Sequence, residues 1–110
     1  MIKRLKDSAL SRAIALAVNR KIRLFGRVER LRLNTEEKSI EMELTLKGER
    51  ETLRATIRNY RIVREEERYF LSAGELATSR EWIDIAVREY LGPLRVELPE
   101  KYAKMIERIF

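Results

Sequence analysis

The stretch from Ser39 to Ile57, SIEMELTLKGERETLRATI, limits the fold more than any other part of the chain. Ile40, Met42, Leu44 and Leu46 alternate with Ser39, Glu41, Glu43 and Thr45, the two-residue period of a strand with one buried face. Lys47-Gly48-Glu49-Arg50 then reads as a two-residue hairpin loop, with Gly48 at the first central position, where a type II′ turn needs a positive φ. Counting back from that closure, Leu44 faces Leu53, Met42 faces Ala55 and Ile40 faces Ile57 on one side. On the other, Thr45 faces Thr52 and Glu43 faces Arg54. One face of the hairpin is therefore apolar and awaits a covering layer.

Residues 1–20 supply an amphipathic, basic helix. Ile2, Leu5, Ala9, Ala13, Leu16 and Ala17 share a stripe flanked by Leu10 and Ile14, with Arg4, Ser8, Ser11, Arg12 and Asn19 opposite. Lys6 falls on the apolar side and Lys3 at its edge, where a long side chain can snorkel to solvent. The segment Ile22 to Leu33 is the first strand, and its apolar parity changes between Val28 and Leu31. A bulge near Glu29 accounts for the change by inserting one residue. That register sets Leu33 against Ile40 and Leu31 against Met42, with Arg32 beside Glu41 and Arg30 beside Glu43 on the outer face.

The third strand continues as Arg58-Asn-Tyr-Arg-Ile-Val with a second phase slip, and Tyr69, Leu71 and Ala73 mark a fourth. Two bent strands predict a strongly curved sheet that wraps a helix. Thr78-Ser-Arg-Glu81 has the form of a capping box and opens a helix over 79–91 that stops at Gly92-Pro93. Apolar positions, Trp82, Ile83, Ile85, Ala86, Val87, Tyr90 and Leu91, cover more than half its circumference, so burial on two sides is expected. Residues 94–98 form a short strand, and Pro99 opens a last helix over 99–110. The expected fold is one α+β domain: a curved antiparallel sheet of four to five strands on two to three helices, in the order α-β-β-β-β-α-β-α. Residues 22–73 form its four-stranded meander. Leu24, Ile40, Met42, Leu44, Ile57, Trp82, Ile85 and Tyr90 would face the space between the layers, which could hold an apolar ligand.

With 110 residues the chain can bury one modest core. It contains no Cys, His or Gln, which removes disulfides, thiolate chemistry and Cys/His zinc sites. No serine has a histidine base, and the four glycines are isolated, so neither a catalytic triad nor a phosphate-cradling loop can be assembled in its usual form. Glu41 and Glu43 each face a cross-strand arginine, and Glu65-Glu66-Glu67 reads as a hydrated turn. A non-enzymatic protein without catalytic residues, cofactor or metal is expected. The longest apolar run, Ala13 to Val18, is far short of the roughly 20 residues of a spanning helix. Ser8, Ser11 and Arg12 interrupt the region a secretion signal would need, which predicts an unprocessed cytoplasmic chain, peripheral at most on the inner membrane face. A charged fraction of 38%, rich in Arg and Glu, suits the surface ion pairs of a thermophile.

Charge is the most informative property for function. Residues 1–34 carry ten Lys or Arg against Asp7 and Glu29, whereas the rest carries 14 basic and 16 acidic groups. An anionic partner should meet the first third. Lys3, Arg4, Lys6, Arg12, Arg20, Lys21, Arg23 and Arg27 are the expected contacts, with an anionic lipid or membrane surface as the leading partner. Nucleic acid comes second, because Phe25 beside Arg23 and Arg27 offers an outward aromatic for stacking. A homo-oligomer, or docking on an acidic protein, is the third reading.

Overall fold

The computed structural model describes the backbone of residues 2–91 and 95–109, and the side chains of residues 8–89 and 95–108. The central alternation builds three antiparallel strands, β1 (Gly26–Asn34), β2 (Ser39–Leu46) and β3 (Leu53–Arg58). Their register is the expected one: Leu33 pairs with Ile40, Leu31 with Met42, Met42 with Ala55 and Ile40 with Ile57. The β1–β2 register shifts between Val28 and Arg30, which makes Glu29 the extra residue of a bulge. By that insertion Val28, Leu31 and Leu33 are all half-buried despite their opposite parities.

The β2–β3 closure differs from the two-residue loop. The Glu49 N–H donates to the Leu46 carbonyl (3.1 Å), so the tight turn spans Leu46 to Glu49, with Gly48 in its third position at φ 87°. The end of β2 stays with β1, where Gly26 pairs with Leu46, while the β2–β3 ladder starts only at Leu44 and Leu53. Residues 47–52 are left as a loop.

Asn59 adopts φ 55°, a left-handed conformation that Asn tolerates better than most residues, and the third strand ends there. The chain crosses into a second sheet as β4 (Arg61–Glu65) and β5 (Arg68–Ser72), then returns as β6 (Glu75–Thr78) to pair with β3. Two antiparallel sheets result, ordered β1-β2-β3-β6 and β4-β5-β7, with β7 (Arg95–Glu97) beside β5. The α+β class and the element order are as expected. The single meander over 22–73 is not, because the second phase slip marks a change of sheet.

The helix α1 (Ile2–Ile22) packs against β1, β7 and the C-terminal α3 (Ala103–Ile109). Its buried stripe is Leu10, Ala13, Ile14 and Ala17, displaced toward what the periodicity made the flank. Leu10, Ile14 and Ala17 join Ile40, Met42, Leu44, Leu53, Ala55 and Ile57 of the first sheet, Tyr69 and Leu71 of the second, and Leu98 and Ile106 in one core. Burial of these side chains, each contributing about 1.5–3 kcal/mol for a Leu or Ile, is what holds the two sheets to α1. Among the described residues no helix is long and apolar enough to cross a membrane.

The helix α2 (Glu81–Ala86), prolonged by a π-helical turn over Val87–Leu91, departs furthest from expectation. It leans on β6 and buries none of its residues; Trp82 is 61% and Ile85 47% exposed. Nor does the capping box form: Thr78 still belongs to β6, and Arg80 occupies the N-cap without a side-chain bond. The Thr78 hydroxyl instead accepts from the Arg80 N–H (3.2 Å) and donates to the Arg80 carbonyl (2.9 Å), while Asp84 Oδ1 accepts from the Thr78 N–H (2.7 Å). The Gly92-Pro93 stop and Leu94 lie outside the described residues.

Candidate functional site

Leu24 was expected on the inner face of the first strand, but α1 runs on to Ile22 and places Arg23, Leu24 and Phe25 in a turn. Arg20 and Lys21 occupy the last turn of α1, where positive charge interacts favourably with the C-terminal end of the helix dipole. The Phe25 N–H donates to the Ile22 carbonyl (2.7 Å), and the Phe25 carbonyl accepts from the Lys47 N–H (2.7 Å). Asn19 Oδ1 accepts from the Val28 N–H (2.7 Å) where the bulge disrupts the ladder, and so ties the end of α1 to β1. The backbone of the turn is thus anchored, yet Leu24 is 70% and Phe25 66% exposed. Two large apolar side chains are held out to solvent on a hydrogen-bonded support.

Cations surround them. Arg20, Lys21, Arg23, Arg27 and Lys47 are all exposed, and an open depression of about 480 Å³ beside the turn is lined by Asn19, Arg23, Gly26, Arg27, Thr45, Leu46 and Lys47. Among the described residues no ion pair engages Arg20, Lys21, Arg23 or Lys47. Arg27 differs: its Nε lies 2.7 Å from Glu29 Oε1, which also accepts from the Thr45 hydroxyl (3.0 Å). The bonds from Arg27 and Thr45 hold the Glu29 carboxyl below its ordinary range, so it is ionised at neutral pH and offsets the Arg27 charge. A lowered carboxyl stabilises the fold above the ordinary carboxylate range and loses that effect as pH falls through the lowered value. In so exposed a pair the stability effect is small. Arg27→Gln should move the Glu29 titration midpoint, followed by NMR, back up toward the ordinary value. Glu29→Gln leaves Arg27 uncompensated, and binding to an anionic surface should tighten severalfold, as read by vesicle flotation.

Of the cations singled out from sequence, Arg20, Lys21, Arg23 and Arg27 come together at this turn. Arg12 is exposed but sits about 12 Å back along α1 from Arg20, at about 1.5 Å per residue. The side chains of Lys3, Arg4 and Lys6 lie outside the described residues. The apolar stripe of α1 is committed to the core at Leu10, Ala13, Ile14 and Ala17, and the side chains of Ile2 and Leu5 lie outside the described residues. The residues expected around a ligand space are divided by the fold. Ile40, Met42, Leu44 and Ile57 pack in the core, Leu24, Trp82 and Ile85 stand on the surface, and the Tyr90 side chain is outside the described residues. Sequence reasoning missed Lys47, which lines the depression and is tied to the turn by its N–H bond to the Phe25 carbonyl. The available signal was Arg23-Leu-Phe-Gly-Arg27, an apolar pair bracketed by arginines.

The other concavities differ in character. A depression of about 700 Å³ on the outer face of β1–β3 is lined by Arg30, Arg32, Arg54, Glu41 and Glu43 among others, with opposite charges across the strands. Arg32 pairs with Glu41 and Glu43 with Arg54 in the ladder, and Arg30 Nε lies 3.9 Å from Glu43 Oε2. Among the described residues no group of acidic side chains is arranged to hold a metal ion. Compared with known protein families, curated proteins and solved structures, the chain matches none.

Proposed function

We propose that this protein binds anionic membrane surfaces peripherally, through the α1–β1 turn. The observation that carries this reading is the coincidence of exposed Leu24 and Phe25 with four exposed cations, Arg20, Lys21, Arg23 and Lys47, that have no acidic partner among the described residues. Interfacial anchors combine these two ingredients, apolar side chains for the acyl boundary and cations for the headgroups. Four cations at about 1 kcal/mol each, with about 2 kcal/mol from partial insertion of Leu24 and Phe25, give about 6 kcal/mol and a Kd of about tens of micromolar. Base stacking on Phe25 would use the same arginines but has no use for Leu24, which favours the membrane over nucleic acid.

Flotation with vesicles provides the test. The protein should float with phosphatidylcholine vesicles containing phosphatidylglycerol, much less with phosphatidylcholine alone, and progressively less as salt shortens the screening length from about 10 Å at 0.1 M. Equal partition onto both vesicle types, or a gel shift with RNA at the salt where no flotation occurs, would remove the membrane reading.

A further inference from the structure

We infer that α2 is a second membrane anchor, placed by the fold at the same end of the molecule as the α1–β1 turn; the inference rests on the membrane reading above. Among the described residues the exposed large apolar side chains are Leu24, Phe25, Trp82 and Ile85. They come from opposite halves of the sequence, yet the antiparallel ladders bring the segments that carry them to one end of the first sheet. The start of β1 pairs with the end of β2, the start of β3 lies beside the end of β2, and the start of β3 pairs with the end of β6. The turn that enters β1 and the segment that leaves β6 for α2 therefore emerge at one end of the first sheet. They are separated by three strand spacings, about 14 Å.

Direct contacts join the two sides. Lys47 of the β2–β3 loop bonds Phe25, and Glu51 of the same loop lies 3.3 Å from Arg80, two residues before Trp82. The Ser79 N–H donates to the Arg54 carbonyl (2.8 Å), and the Ser79 hydroxyl accepts from the Arg54 N–H (3.1 Å), so the chain is held to β3 as it turns into α2. Between the apolar pairs stand Lys47 and Arg50 together with Glu49 and Glu51 of the same loop, all exposed. This end of the first sheet thus carries an apolar segment at each margin, with its excess of cations, Arg20, Lys21, Arg23 and Lys47, at the α1–β1 margin, where charge complements an anionic bilayer. Trp82 suits the outer margin, since an indole places an apolar ring and a polar N–H at the headgroup level. A two-point contact also sets orientation, with the strands of the first sheet directed at the bilayer.

Trp82 is the one tryptophan of the chain, so its fluorescence reports on α2 alone. With phosphatidylcholine/phosphatidylglycerol vesicles the full-length protein should show a blue shift of Trp82 emission and reduced acrylamide quenching. Ile85→Asp, at an exposed position that folding does not need, should weaken flotation about tenfold by loss of apolar contact and charge repulsion. If the protein floats while Trp82 emission and quenching stay unchanged and Ile85→Asp binds like the parent, α2 is not an anchor and the α1–β1 contact stands alone. If nothing floats, the membrane reading fails and this inference fails with it.

Discussion

Replacing Leu24 and Phe25 together by Asp should reduce flotation with phosphatidylglycerol-containing vesicles about a thousandfold while leaving the protein folded. The two substitutions remove about 2 kcal/mol of partial insertion and set two negative charges against the surface, costing about 2 kcal/mol more. The sum of about 4 kcal/mol corresponds to about three decades in affinity. Folding should be insensitive because both side chains are largely in water and their backbone bonds, Phe25 N–H to Ile22 and Lys47 N–H to Phe25, do not depend on side-chain identity. Exposed substitutions of this kind generally change stability by no more than about 0.5 kcal/mol. Circular dichroism and urea unfolding of the double variant give the control. A folded variant that floats like the parent would place the membrane contact elsewhere.

The largest loss of stability from a small change should come at Gly26. A Cβ there would lie 2.1 Å from the Thr45 carbonyl oxygen and 2.9 Å from the Leu46 Cα, both backbone atoms of β2. No side-chain rotation relieves that overlap. Gly26→Ala must push β1 away from β2 at the point where the α1–β1 turn enters the sheet, at a cost of about 3 kcal/mol, the upper part of the usual range for overpacking. The melting temperature should fall by about 15 °C. Gly48→Ala is the informative comparison: its φ of 87° is unfavourable for alanine, but no atom lies within 4 Å of the added methyl. It should cost only about 1 kcal/mol, the left-handed conformation alone. Thermal unfolding of the pair decides the matter, and equal losses would mean that the close approach at Gly26 relaxes freely. The Gly26 variant should also weaken vesicle binding, since shifting Thr45 and Leu46 displaces Lys47 from Phe25.

What was legible in the sequence follows the range of the interactions involved. The β1–β2–β3 register could be read because alternation and cross-strand charge pairing are local, and the bulge at Glu29 because parity must change somewhere between Val28 and Leu31. The α1–β1 turn was hidden for the same reason: Leu24 shares parity with Ile22 and Val28, so a strand explained it as well as a turn did. In α2 a high apolar fraction predicts burial on two sides, which does not occur. Apolar content says what a residue favours, whereas burial requires another layer at that place, and beyond β6 the fold does not supply one for Trp82 or Ile85. The break at Asn59 left a visible phase slip, but whether a slip is a bulge or a change of sheet depends on which strand waits on the far side.

By itself the sequence determined the antiparallel register, the inward set from Ile40 to Ile57, the bulge, the α+β order and the concentration of positive charge in the first third. Only the tertiary structure decided that the strands divide into two sheets. It also decided that α1 spends Leu10, Ala13, Ile14 and Ala17 on the core, and that the turn bearing Leu24 and Phe25 and the entry to α2 emerge at one end of the first sheet. The physical reason is that side-chain alternation and charge order are written residue by residue, while exposure is a property of what the rest of the chain leaves uncovered.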